Sequence, residues 1–346
     1  MPKKISTLDN TRTPVSEDAD VKDEVRVLAS DLRRSALEVA WRQWQALGAS
    51  AALHSNDSRR LQSTIDPEAL VLLSLVMIED EQRLADLVHD WMVLNSDLLS
   101  VQRVKNLAKE YSEETQARLK ARLEWLAEAV LRSGKDFRWR SLISSDREGQ
   151  RHGVVIRSGK PWAVKSRAVR APLTEPSTLL LRLRLGFGVG VKADVLGFLL
   201  GTRDEWIIIR EIAEATAYSP VAVRRAVDDL AAARLVLVSE VQPAGYRTER
   251  KDWVPLLRLH GPPVWLNWHQ RFTFVSAFLA WADSVEKRPL SAYAFGAQGR
   301  ELLEQHRRAF GHHQLVVWSM HTEVRDWRKF VREAVQSLAS SMVKLA

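Results

Sequence analysis

Two adjacent arginines, Arg224 and Arg225, lie in the segment SPVAVRRAVDDLAAA, which begins at Ser219. Serine followed by proline is a common start of a helix, so this pattern predicts a helix whose first residue is Pro220. At 100° per residue, its buried side is expected to contain four apolar residues: Val223, Ala226, Val227 and Leu230. Guanidinium groups on the opposite side can donate paired hydrogen bonds to guanine or bind phosphate, and Val221 can contact a thymine methyl group.

An alternative interpretation is that these arginines pair within their own helix. Arg224 and Asp228 are separated by four positions, as are Arg225 and Asp229, which is the spacing of ion pairs on a solvated helical face. A nucleic acid would have to compete with these carboxylates for the two guanidinium groups. The spacing leaves both interpretations open.

A second concentration of positive charge lies in residues 136–185, which hold 11 basic and 4 acidic side chains in a chain of net charge +8. Most of the basic residues are arginines, whose planar donors match phosphate oxygens. We therefore expect this segment to bind a polyanion backbone, with Arg167 and Arg170 among the contacting residues. A solvated basic linker is the alternative. Trp139 and Trp162 stand among these cations and could stack on unpaired bases, although packing against a neighbouring domain is the favoured explanation.

Other chemistry finds no support in the sequence. The chain has no cysteine, which excludes disulfides, thiolate catalysis and zinc sites of the cysteine type. Residues 186–190, GFGVG, lack the following GK[ST] of a phosphate-binding loop, and the histidines at 306–321 lack the spacing of paired metal ligands. No nucleophile elbow, kinase signature or acid pair for two-metal catalysis is present. The sequence thus predicts no enzyme, no metal and no cofactor.

Helical periodicity dominates the two ends of the chain. Apolar residues recur at three- and four-residue steps from Val25 to Leu47, Asp66-Pro67-Glu68 is a typical helix start, and Ser112 can cap a further helix. The sequence indicates a mainly α-helical protein with five regions: a disordered tail (1–20), an all-helical domain (21–135), a basic connector of short strands and turns (136–178), a central domain (179–260) and a helical C-terminal domain (261–346).

Residues 192–257 of the central domain show the order helix, helix, tight turn, helix, strand, turn, strand, which is that of a winged helix-turn-helix with an α/β wing. The first helix is KADVLGFLL, the second is IIIREIAEATAY and the third starts at Pro220. The run LVLV and the residues after Gly245 are the predicted strands of the wing. Arg247, Arg250 and Lys251 are expected on or near its tip and return strand, where they would contact phosphate or the minor groove.

The stretch REIAEATAYSPVAVRRAVDDLAAARLVLV resembles bacterial winged-helix transcription regulators of the MarR-like and ArsR-like kind. The resemblance covers roughly residues 180–257 and implies a DNA-binding role for the third helix. Arg234 departs from the family, which commonly has glycine before the strand. The longer block LLLRLRLGFGVGVKADVLGFLL is similar to the lead-in of uncharacterised prokaryotic winged-helix proteins, some of them associated with nucleotidyltransferase or toxin–antitoxin modules.

Together these patterns predict a sequence-specific DNA-binding transcription regulator. Its third helix would read double-stranded DNA, its arginine-rich segment would hold the backbone, and its helical domains would form a homodimer or receive a protein partner. The alternative is an interaction adaptor or antitoxin-like partner whose winged helix binds protein. The N-terminus lacks the apolar stretch of a secretory signal, and no run is long enough to span a membrane, so we expect a cytoplasmic protein without membrane contact.

Overall fold

The computed structural model describes the chain in segments, with side chains from residue 21 onward: residues 15–49, 61–143, 168–202, 204–259, 261, 263–288, 290–311 and 326–346. Within these segments the protein is mainly helical, with one small antiparallel sheet of three strands. This agrees with the predicted helical class. None of the helices in the described part of the chain combines the length and apolar composition needed to cross a bilayer.

Five helices make up the N-terminal part of the described chain: α1 (Val15–Ala46), α2 (Pro67–Val76), α3 (Arg83–Asn95), α4 (Val101–Ala108) and α5 (Glu113–Arg132). Helix α1 begins inside the segment 1–20 that the sequence assigns to a tail, since residues 16–24 contain no glycine or proline that would stop it. The predicted start of α2 is confirmed, because the Asp66 side chain accepts a hydrogen bond from the backbone of Ala69 at 3.1 Å.

The central part contains the following elements in order: α6 (Leu179–Phe187), α7 (Val191–Gly201), β1 (Ile207–Ile208), α8 (Ile209–Thr216), α9 (Pro220–Ala232), β2 (Leu237–Val238), β3 (Gly245–Arg247) and α10 (Arg250–Leu256). The sheet has the order β1-β3-β2, with Ile207 opposite Tyr246 and Leu237 opposite Arg247. Side chains of α7, α8 and α9 pack with Tyr246 in one hydrophobic core.

Three helices end the described chain: α11 (Trp268–Lys287), α12 (Ala292–Gln305) and α13 (Trp327–Leu345). Helices α11 and α13 pack against α1, so that Leu32 of α1 shares a core with Phe278 of α11 and Leu338 of α13. The N-terminal and C-terminal helices therefore contribute to one hydrophobic core, here named the helical body (α1–α5 and α11–α13). The central elements have a second core of their own.

Candidate nucleic-acid interface

The start of α9 follows the prediction in detail. The Ser219 hydroxyl accepts a hydrogen bond from the backbone of Ala222 at 3.2 Å, and Pro220 occupies the first turn. The four apolar residues predicted for the inner face are all buried: Val223, Ala226, Val227 and Leu230. Their burial against α7 and α8 directs the opposite face of the helix away from the core.

That opposite face carries the predicted contact residues. Val221 is 64% exposed, and both Arg224 and Arg225 are exposed. Among the described residues, neither arginine takes part in an ion pair, so the alternative pairing with Asp228 and Asp229 is not formed. Instead, Asp229 lies 2.8 Å from the Lys192 ammonium group of α7. The structure thus presents two guanidinium groups on one exposed helical face, and no carboxylate of the described segments pairs with them.

The wing differs from the prediction. Arg247 belongs to β3, but its guanidinium group lies over the Trp206 ring, 4.3 Å from the centroid. Arg250 and Lys251 lie in the first turn of α10, because the Asp204 carboxylate accepts a hydrogen bond from the Arg250 backbone, 3.0 Å away, at the start of that helix. The Arg250 side chain turns inward and donates to the carbonyl of Leu200 at 3.1 Å. These two residues therefore lie just after the return strand, in α10, and not at the tip of the hairpin.

The tip of the hairpin between β2 and β3 has a different chemical character. Residues 239–244, SEVQPA, include the exposed Glu240 and no basic residue. Val241 at the tip is 72% exposed, and Leu237 and Val238 of the edge strand β2 are also exposed. This hairpin offers an apolar and acidic surface instead of the basic one expected for phosphate contact.

Arg170 from the basic segment forms hydrogen bonds with groups of the protein itself. Its guanidinium group donates to both Asp97 carboxylate oxygens and to the Leu94 carbonyl, the latter at 2.6 Å. This hydrogen bonding is the main reason that the pKa of Asp97 lies below its usual value. Arg167, the other predicted contact, lies outside the described residues.

Three further arginines of the segment bind protein acceptors. Arg138 donates to the Asp136 carboxylate at 2.7 Å, Arg182 donates to the Leu257 carbonyl at 2.6 Å, and Arg184 is fully buried. Trp139 is buried in the helical body, so its interpretation as a base-stacking residue is wrong and the packing alternative holds. Trp162 lies outside the described residues.

A buried ionic network that the sequence did not reveal lies behind α9. It consists of two arginines and three carboxylates, all almost without exposure: Asp66, Glu68, Arg103, Arg184 and Asp194. Arg103 binds the Asp66 carboxylate at 2.6 Å and the Glu68 carboxylate at 2.9 Å. Arg184 binds Glu68 at 2.6 Å and Asp194 at 2.7 Å. Glu68 thus connects the two guanidinium groups.

The charged neighbours in the network favour the ionised forms of Asp66 and Arg184. Burial by itself would raise the pKa of Asp66, but the Arg103 guanidinium outweighs this effect and the pKa lies below its usual value. Burial would likewise lower the pKa of Arg184, and the carboxylates of Asp194 and Glu68 raise it well above the ordinary arginine value instead. Asp66 and Arg184 therefore keep their charges at neutral pH, which suits a structural frame better than proton transfer.

His269 of α11 borders this network. Its ring nitrogens lie 3.8 Å from an Asp66 oxygen and 3.9 Å from a Glu110 oxygen, both beyond hydrogen-bond distance. Burial lowers the pKa of His269 to about 4, so the ring is neutral at pH 7. In the part of the chain that the structure describes, no group of histidines and carboxylates could hold a metal ion.

The network reaches the turn that precedes α9. Arg103 Nε donates to the carbonyl of Thr216 at 2.9 Å, and the Asn106 amide donates to the carbonyl of Ala217 at 2.8 Å. The Tyr218 hydroxyl donates to Asp194 at 2.9 Å. The turn that precedes α9 is therefore hydrogen-bonded to the helical body, and the exposed arginines lie on the helix that follows this turn.

A single sequence carries only an indirect sign of this network. Its charges interrupt otherwise apolar helical segments, such as LLLRLRLGF for Arg184 and VKADVLGFLL for Asp194. A charge at a buried helical position requires a partner, yet Arg184 and Glu68 are 116 residues apart. Neither models of known protein families, nor curated proteins, nor solved structures match this chain.

Proposed function

We propose that this chain is a sequence-specific DNA-binding regulator and that its central elements form a winged helix in which α9 reads the major groove of double-stranded DNA. The single observation that carries the proposal is the exposed face of α9, where Arg224 and Arg225 lie beside Val221 without an ion-pair partner among the described residues. Arginine in a major groove donates two hydrogen bonds to guanine, and valine contacts the thymine methyl group.

The arrangement around α9 supports the proposal. Helix α7, strand β1, helices α8 and α9 and the β2–β3 hairpin follow one another in the order that a winged helix requires, and β3 lies between the other two strands. Arg234 has a φ of 59°, a left-handed conformation in which glycine is favoured. The position where the resembled regulators commonly carry glycine therefore has the backbone conformation that glycine would supply.

Contacts with the DNA backbone would come from the predicted basic residues outside α9. Arg170 would have to leave Asp97 and Leu94 before it could bind phosphate. We therefore assign backbone contact to Arg167. Arg247 and Lys251 lie near the base of the hairpin and both pair with the Glu249 carboxylate, at 3.8 and 3.3 Å, so they would add to this contact only after leaving Glu249. The proposed protein is a cytoplasmic homodimer or receives a partner through the helical body, and the proposal includes no catalytic step, metal or cofactor.

Fluorescence anisotropy tests the proposal directly. The purified protein is titrated into the DNA upstream of its own gene and into an unrelated duplex of equal length, at several salt concentrations. Arg225→Ala is expected to lose about 1–3 kcal/mol of binding to the preferred sequence, because a bidentate contact with a base is removed. The control is Arg132→Ala on α5. It removes an exposed arginine that is distant from α9 in the sequence, and the variant should bind like the parent protein. Equal binding of both duplexes by the parent protein would refute sequence-specific reading.

A second function is favoured by one observation, the exposed apolar residues of the hairpin. Leu237 and Val238 lie on the edge strand, where the backbone can pair with another chain, and Val241 projects at the tip. On this alternative the winged helix is an interaction module of an adaptor or antitoxin-like protein. Purification of a stoichiometric protein complex free of nucleic acid, together with no binding to either duplex, would favour it.

A further inference from the structure

We propose that Arg103, Asn106 and Tyr218 are positioning residues that lock the turn between α8 and α9 to helix α4 and so set the direction in which α9 presents its arginines. The consequence for DNA rests on the function proposed above. The positional claim rests on the contacts alone.

The turn offers acceptors that its own helix cannot satisfy. Thr216 ends α8, and its carbonyl and that of Ala217 have no donor in a following turn of helix. Ala217 has a φ of 57°, a left-handed conformation that costs an alanine about 1–2 kcal/mol. Arg103 and Asn106, both on α4, donate to these two carbonyls. The helical body thus supplies the hydrogen bonds that hold this unfavourable turn.

Arg103 is itself held rigidly from the other side. Its two terminal nitrogens bind the carboxylates of Asp66 and Glu68, which leaves Nε for the carbonyl of Thr216. Asp66 and Glu68 belong to the start of α2, in the core of the helical body. The donor that reaches the turn therefore cannot rotate without breaking buried charge pairs.

Tyr218 fixes the residue directly before the N-cap of α9. Its hydroxyl donates to Asp194 on α7 and lies 3.2 Å from the hydroxyl oxygen of Ser100, the N-cap of α4. Burial raises the pKa of this phenol and Asp194 raises it further, so the hydroxyl keeps its proton and remains a donor. One side chain therefore connects α4, α7 and the start of α9.

A displacement of α4 relative to the central elements must consequently move the N-terminal end of α9. Val221 and Arg224 lie in the first two turns of that helix, so a small rotation about Ser219 changes which groove edge they reach. The helical body then contributes to sequence recognition, because it sets the angle at which α9 meets the DNA.

The test uses the full chain and three variants. Tyr218→Phe removes the hydroxyl and keeps the ring, and Asp194 retains both bonds to Arg184, so no buried carboxylate is left without a partner. Asn106→Ala removes the second donor. Tyr293→Phe is the matched control, because Tyr293 is 87% exposed on α12. Amide hydrogen exchange is followed in residues 213–222 and in α11, and anisotropy is measured with the upstream DNA and an unrelated duplex.

If the three residues position α9, exchange in the turn accelerates about three- to tenfold in Tyr218→Phe and in Asn106→Ala, while exchange in α11 remains at the parent rate. The ratio of affinities for the two duplexes falls by a similar factor, whereas binding to the unrelated duplex is unchanged. A purely structural weakening would instead reduce both affinities equally and accelerate exchange throughout the chain.

The outcomes separate this inference from the proposed function. If the parent protein binds neither duplex, the DNA-binding proposal fails, and exchange alone decides the positional claim: local acceleration supports it and unchanged or uniform exchange overturns it. If the parent protein discriminates between the duplexes and both variants match the control in exchange and in affinity ratio, the inference is overturned. Faster exchange with an unchanged affinity ratio overturns its consequence for recognition.

Discussion

Among the described residues, Arg103, Arg184 and Arg271 are at most 1% exposed, and the structure predicts that replacing Arg184 or Arg271 has opposite effects on stability. Arg184 is bonded to Glu68 and Asp194, whereas the Arg271 side chain of α11 makes one long hydrogen bond within the described part of the chain, 3.4 Å to the Ser341 hydroxyl. The Trp268 ring lies 5.8 Å from the Arg271 guanidinium group. Among the described residues, Arg271 has no carboxylate partner. The perturbation is Arg→Met at each position, which keeps an unbranched stem and removes the charge.

The magnitudes follow from the partners. Burial lowers the pKa of Arg271 to about 10, well below the ordinary arginine value, and this depression corresponds to about 3 kcal/mol of destabilisation at neutral pH. Arg271→Met should therefore stabilise the fold by up to about 3 kcal/mol. Arg184→Met leaves Glu68 and Asp194 buried with fewer partners, and the expected loss is about 3–5 kcal/mol.

Urea unfolding at pH 7 measures both effects, with the fluorescence of the 13 tryptophans as the probe. Arg224→Met on the exposed face of α9 is the control and should change the free energy of unfolding by less than about 0.5 kcal/mol. A loss of more than about 1 kcal/mol in Arg271→Met would refute the reasoning. That result would mean that the guanidinium group of Arg271 contributes contacts that outweigh the cost of burying its charge.

Three further predictions concern pH, capping and salt. The pKa of His269 in the folded protein is about 4, below the ordinary 6.5. The contribution of its neutral ring to stability is therefore fully present above pH 6.5, and about 3 kcal/mol of the free energy of unfolding is lost as the pH falls to 4. The urea midpoint should decline less across this range in His269→Gln. Ser219→Ala should cost about 1 kcal/mol in urea unfolding, and recovery by Ser219→Asp identifies the lost cap as the cause. Arg167→Ala should reduce the slope of log K against log salt by about 0.9, whereas Arg170→Ala should leave it unchanged because Arg170 is bound to Asp97; equal slopes for both variants would contradict this.

Features encoded by neighbouring residues could be predicted from the sequence. The N-cap of α9 and its buried face depend on a dozen consecutive residues, so periodicity and capping rules identify them. The same holds for α2, whose start is marked by Asp66 and Pro67. Local rules do not predict the start of α10. The Asp204 carboxylate accepts a hydrogen bond from the Arg250 backbone at that start, and Asp204 is 46 positions away in the sequence.

The buried network could not be predicted because its partners are distant in sequence. Arg103 and Asp66 are 37 positions apart, and Arg184 and Glu68 are 116 positions apart. Each residue alone has an ordinary local interpretation: Asp66 as the helix cap that it indeed is, and Arg184 as one of the arginines of a phosphate-binding segment. Both interpretations follow from residue type, while the ion pairs that these residues also form follow from burial, which is a property of the packed chain.

Charge counting along the chain therefore overstates the surface available to a polyanion. Of the 11 basic residues in 136–185, Arg138, Arg170, Arg182 and Arg184 donate to protein acceptors, and the Arg140 guanidinium lies 5.9 Å from the Phe137 ring. The other six fall outside the described residues. A guanidinium group that already has acceptors gains little from exchanging them for phosphate, since one set of charge-assisted bonds replaces another. In the proposed function, recognition by α9 therefore depends less on this segment than its composition indicates, and more on the buried charges that orient the helix.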